Sequence, residues 1–178
     1  MTAVALTTAR LSLRPLTLDD AAPTAALMTL DVAKWTGTWP APVSEAFVAE
    51  RIRRTLEAVA GGMETRYAVI RREDGALIGW AGLAKADAAS DEAVLGFWLG
   101  ADFQGRGYGA EAATAALADG WTALGLARAI AWAQAGNAAS IGALRKLGMH
   151  YLRTEPRFAQ ARGAMEVCEL YQLERPGA

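Results

Sequence analysis

Residues 104–111, Gln-Gly-Arg-Gly-Tyr-Gly-Ala-Glu, set glycines at every second position just before an alanine-rich segment of high helix propensity. A helix N-terminus offers unpaired N–H groups and a partial positive charge, and so binds phosphate readily. Gly105, Gly107 and Gly109 let the backbone approach an anion without a Cβ in the way. Arg106 adds a charge-assisted contact. The alternative is a strand-to-helix turn with no ligand. Spacing narrows the phosphate reading. A dinucleotide fingerprint needs G-x-G-x-x-G and an acidic residue about 20 positions on. Here the pattern is G-x-G-x-G, and the next strand ends near Gln134. A P-loop needs Gly-Lys-Ser/Thr, and no lysine lies between Gly105 and Glu111.

The bulk properties agree with one folded unit. The 178 residues suit a single domain spanning 1–178. Apolar residues make up 53% of the chain, which argues against disorder. A formal net charge of −1 supplies no global field for nucleic acid or acidic membranes. Cys168 is the one cysteine and His150 the one histidine, so neither an intrachain disulfide nor a Cys/His metal site is expected. Met1 to Arg10 lacks signal-peptide character, and no apolar run approaches the roughly 20 residues of a membrane span. The expectation is a cytoplasmic protein with no membrane or nucleic-acid partner and no metal.

The elements that must position the glycine turn follow from periodicity. Leu11 to Leu16 alternates as a first strand. A helix enters at Thr17–Asp20 and runs toward Val32, and a second starts at Ser44 and stops at Gly61-Gly62. Tyr67–Ile70 and Leu77–Leu83 flank the turn Glu73-Asp74-Gly75, and Val94–Leu99 is a further strand. A helix over Glu111–Leu124, a strand over Arg128–Ala133 and a helix over Ala138–Leu147 follow. Two last strands cover Tyr151–Arg157 and Met165–Leu173. The order β-α-α-β-β-β-α-β-α-β-β is a mixed α/β arrangement, unlike the regular alternation of a doubly wound sheet.

With these elements in place the chain resembles the GCN5-related N-acetyltransferases, within them the RimJ/RimL-like ribosomal-protein N-terminal acetyltransferases. Gln104 to Gly109 looks like the superfamily's Q/R-x-x-G-x-G/A pyrophosphate motif. Thr8 to Leu16 looks like the subgroup's opening strand, and Leu95-Gly96-Phe97-Trp98-Leu99 is similar to its Gly-Tyr-Trp-Leu strand. Leu124 to Ile130 matches its helix-to-strand turn. Asn137-Ala138-Ala139-Ser140 with Lys146-Leu147-Gly148-Met149 matches its Asn-x-x-Ser and Lys-Leu-Gly-Phe signature.

The resemblance implies a single-domain α/β fold, a mostly antiparallel central sheet flanked by helices with a splayed, bulged strand. It also implies acetyl-CoA as co-substrate and direct attack of a primary amine on the thioester. Phe97, Trp98 and Leu99 would meet pantetheine, and Gln104, Gly105, Arg106, Gly107, Tyr108 and Gly109 the pyrophosphate. Asn137 would bond to the pantetheine or reach across the acyl end, with Ser140 one helical turn later on the same face. Asp91 and Glu92 are the candidate bases, and Ser140 is the candidate proton donor to the thiolate. Two positions depart from common superfamily patterns: Val94 where many relatives have glutamate, and Leu144 where many have tyrosine. Trp35, Trp39 and Tyr67 would line an acceptor pocket, with Glu155 and Glu166 attracting the amine. The acceptor is a small molecule or a protein N-terminus, and a homodimer is compatible. A CoA-binding module of weak catalysis stays open beside the enzyme reading.

Overall fold

The structure, a computed structural model, describes residues 5–177. The first four residues of the segment read as lacking signal-peptide character lie outside them. Eight strands form one sheet: β1 Leu6–Thr7, β2 Leu11–Pro15, β3 Glu64–Arg71, β4 Leu77–Lys85, β5 Glu92–Leu99, β6 Arg128–Gln134, β7 His150–Ala159 and β8 Ala164–Glu174. Their spatial order is β1-β2-β3-β4-β5-β6-β8-β7, and every pairing is antiparallel except β5 with β6. Five helices flank it: α1 Ala21–Leu27, α2 Leu30–Ala33, α3 Glu45–Ala60, α4 Tyr108–Ala123 and α5 Ala138–Lys146.

Strand alternation sends successive side chains to opposite faces. Tyr67 and Val69 of β3 pack with Leu83, Leu95, Ala113, Ala116 and Leu144 under α4 and α5. Ala68 and Trp80 pack with Val32, Trp39, Val48 and Ile52 under α1–α3. The sheet therefore separates two apolar layers. No described helix is long and apolar enough to cross a membrane.

Three expectations change in detail. The first helix divides after Leu27, where Met28 leaves helical geometry (ψ 66°), so α1 and α2 are separate turns preceded by a 3-10 turn at Leu18–Asp20. The short β1, which is too brief for periodicity to reveal, pairs with β2. The helix expected from Glu111 begins at Tyr108, because Gly107 takes a left-handed φ of 82° and serves as N-cap.

The expected bulge in β5 is absent from its pairing with β4, which runs in register from Ala93 to Leu99. The splay itself is on the other edge. Parallel pairing of β5 with β6 covers only Glu92–Val94 against Arg128–Ile130, after which the two strands part.

Candidate active site

Beyond Val94 the β6-facing edge of β5 has no strand partner, while β6 continues along β8 to Gln134. This opening pierces the sheet, and one cavity of about 680 Å³ passes through it. Its walls come from both layers: Gly105, Gly107 and Ser140 from the α4–α5 side, Trp39, Arg51 and Arg66 from the α1–α3 side.

The glycine turn has the properties an anion cradle needs. Gly105 (φ 73°) and Gly107 (φ 82°) adopt a backbone conformation that side chains disfavour. Space above Gly105 is open for 4 Å, whereas a Cβ on Gly109 would press on Phe97 at 3.3 Å. Glu111 is the first residue of α4 whose amide returns to the helix, to the Gly107 carbonyl at 3.1 Å. The amides of Gly105 to Ala110 find no protein acceptor among the described residues. Gln104 donates to the Leu99 carbonyl oxygen (2.8 Å), bracing strand end against turn.

A second brace comes from the chain's beginning. Glu111 accepts from the Thr8 hydroxyl (2.6 Å), the Arg10 amide (2.9 Å) and the Arg10 guanidinium (2.7 Å). Arg10 also donates to the Arg106 carbonyl oxygen (2.9 Å) and stacks on Tyr108, 4.4 Å from its ring centre. Burial raises the Glu111 pKa, but these three donors outweigh it and the net shift is downward.

Of the residues expected at CoA, Phe97, Trp98, Leu99, Gln104, Gly105, Gly107, Gly109, Asn137 and Ser140 all line the cavity. Arg106 and Tyr108 do not: Tyr108 is buried beneath Arg10. Asn137 caps α5 by accepting from the Ser140 amide at 3.1 Å. The cap leaves the Ser140 hydroxyl without a partner among the described residues.

Asp91 and Glu92 stand apart. Glu92 lies where β5 and β6 are still paired and bonds to Arg128 (3.3 Å), while the Asp91 carbonyl accepts from Ala127 and Arg128. Neither lines the cavity. Tyr67 is a correction of the same kind. Strand alternation turns it into the α4 layer, 1% exposed, where its hydroxyl donates to Asp119 at 2.5 Å. Burial, then Asp119, raises its pKa. Glu166 is engaged by Arg162 and Gln134, and Glu155 by Arg153 (2.6 Å), and neither carboxylate lines the cavity.

Trp35 and Trp39 do line the cavity. Trp39 sits at the centre of an aromatic group, 5.2 Å from Trp80 and 5.6 Å from Trp98. The Trp80 indole donates to Thr24 (3.0 Å), whereas the buried Trp98 indole N–H has no acceptor among the described residues. The loop carrying Trp35 is pinned from outside: Arg162 donates to the Ala33 and Thr36 carbonyls (both 2.9 Å), and Gln134 to that of Lys34 (2.8 Å).

Sequence reading missed a polar cluster in this wall. Arg51 of α3 with Glu64 and Arg66 of β3 all line the cavity. Arg66 bonds Glu64 through Nε (2.6 Å) and reaches the Gly96 carbonyl oxygen (3.1 Å). Arg51 donates to the Thr38 carbonyl (3.1 Å) and hydroxyl (2.9 Å) and lies 4.3 Å over Trp39. The period-2 alternation Glu64, Arg66, Ala68 was the available signal, placing both charges on the face opposite Tyr67.

The comparisons with known proteins bear on this geometry. Residues 10–150 match the family model of the acetyltransferase (GNAT) domain. A search of the curated proteins finds no match. Among solved structures, the ribosomal-protein-S5-alanine acetyltransferase from Vibrio fischeri superposes with a TM-score of 0.83 at 18% identity, covering 98% of each chain. RimJ of Mycobacterium smegmatis in complex with CoA-disulfide gives 0.78 at 19% identity, covering 92% of this chain and 81% of that one. The microcin C7 self-immunity acetyltransferase MccE, in complex with acetyl-CoA and AMP, gives 0.79 at 16% identity over 94% of each. These likenesses speak for the fold, and the domain match for the family. A sheet opened beside a glycine turn thus has its explanation, for the chain belongs to the GNAT acetyltransferase family and is an acetyl-CoA-dependent enzyme.

Proposed function

We propose that acetyl-CoA and the amine acceptor enter the cavity from opposite faces of the sheet and meet at the opening between β5 and β6. The observation that carries this reading is the single cavity joining the glycine turn of α4 to the tryptophan-lined wall of α1–α3. The amides of Gly105 to Ala110 suit the pyrophosphate, and the unpartnered edge of β5 suits pantetheine. Open space above Gly105 supports the seating of CoA at the turn.

Chemistry at the meeting point requires a neutral amine, an attack on the thioester carbonyl and a proton for the departing thiolate. Ser140, with its free hydroxyl in the cavity, is the donor in this reading. Glu64, the one carboxylate among the lining residues, takes the place of Asp91 and Glu92 as proton acceptor. Positioning of the two substrates supplies much of the rate. The acceptor is a small amine or the first residue of a peptide. The test is thiol release from acetyl-CoA across a panel of small amines and N-terminal peptides. Turnover on one class supports the reading. Tight CoA binding with no turnover on any member would instead favour a binding module.

A further inference from the structure

The charges at the acceptor end of the cavity do not balance. Glu64 is the sole carboxylate in the lining, and Arg66 already holds it at 2.6 Å. No described carboxylate lies within ion-pair distance of Arg51. Two of the five Arg51 donor hydrogens meet Thr38, a neutral partner, and three are left over. Burial, and then the charge of Arg66, lowers the Arg51 pKa to about 10 against a smaller opposing pull from Glu64, so the group is still a cation at neutral pH. A cation half withdrawn from water with no carboxylate in contact is costly until an anion joins it. The orphan N–H of Trp98, whose ring lies 5.6 Å from that of Trp39, adds to the excess of donors.

We propose that Arg51 is a specificity-determining residue that receives a carboxylate carried by the acceptor, so that the preferred substrate is an amine bearing an acidic group. The planar guanidinium fork suits a carboxylate through two parallel bonds. The inference rests on the reading of this cavity as the acceptor site. Two sources supply such chemistry: a small amino acid, or a peptide beginning with an acidic residue.

Matched pairs separate them. One pair is a panel of small amino acids against their carboxamides, the other a peptide beginning with Asp against the same peptide beginning with Asn. With the full-length protein and acetyl-CoA, kcat/KM for the carboxylate member of one pair is expected to exceed its neutral partner by about ten-fold or more. In Arg51→Gln the ratio falls to about one through KM, and in Arg51→Lys part of it returns. Equal values in both wild-type pairs, or an unchanged ratio in Arg51→Gln, overturn the proposal. Should Arg51→Gln fail to fold, Arg51→Lys decides, because its ratio must fall below wild type. If no amine turns over, the acceptor reading of catalysis fails separately. Calorimetric titration of CoA-loaded protein with the same pairs then decides anion preference, with equal affinities overturning it.

Discussion

The Arg66 guanidinium crosses β4 to donate to the Gly96 carbonyl oxygen at 3.1 Å. It can do so because Arg66, Gly82 and Gly96 stand in register on adjacent strands, and the two glycines leave a bare lane across the sheet. A Cβ on Gly96 would lie 3.4 Å from the guanidinium. Valine there is expected to displace Arg66 and raise the acceptor KM more than that of acetyl-CoA. An unchanged acceptor KM would separate the lane from the site. Gly82→Ala is more severe: its Cβ would fall 1.9 Å from the Thr65 carbonyl oxygen, which is backbone. A loss of about 3 kcal/mol in denaturant unfolding is expected.

Gly107 is tested through its left-handed φ and its place at the start of α4. Replacement by valine is expected to raise the acetyl-CoA KM by roughly ten-fold or more, since the turn must shift and its amides with it. Isothermal titration with CoA checks this directly, and an unaltered affinity would contradict the cradle.

Ser140 and Asn137 separate chemistry from structure within one cap. Ser140→Ala keeps its amide bond to Asn137, so the melting temperature should hold while kcat falls by roughly ten-fold or more. Asn137→Ala removes the acceptor and is expected to cost about 1 kcal/mol of stability. A Ser140→Ala enzyme of full kcat would remove the serine from the proton path.

Tyr67→Phe leaves Asp119 without its 2.5 Å partner. A loss of about 1–2 kcal/mol is expected, with no change in acceptor KM. A selective rise in acceptor KM would return Tyr67 to the pocket.

Glu111 gives a pH signature. Its folded pKa is depressed below the ordinary carboxylate value, so its contribution to stability is complete above that value and is lost as pH falls through the folded pKa. The melting-temperature gap between wild type and Glu111→Gln should therefore be widest near neutrality and narrow below about pH 4. A gap independent of pH would show that the carboxylate charge does not matter to the Thr8–Arg10 brace.

The strand, turn and helix around Gly105–Gly109 were legible because each signal is local: alternation, glycine spacing and alanine propensity follow one another within residues 94–124. The Arg51–Glu64–Arg66 cluster was not, since it is assembled by a helix and a strand whose registers appear only once the sheet is built. Tyr67 was misplaced for a related reason. Alternation sets Tyr67 on the face opposite Glu64 and Arg66, but not until the sheet is built is it evident which helical layer covers that face. Asp91 and Glu92 stood near the right strand but at its closed end, and sequence proximity does not reveal where two strands part.

The pinning of Ala33, Lys34 and Thr36 by Gln134 and Arg162 has a temporal consequence. Arg162 lies past residue 150, where the family match stops, and Glu166, which orients it, comes later still. On the ribosome, the loop bearing Trp35 emerges more than a hundred residues before the arginine that fixes it. The nascent chain can form its glycine turn before then, yet the tryptophan-lined wall of the cavity is set only when the last hairpin has left the exit tunnel.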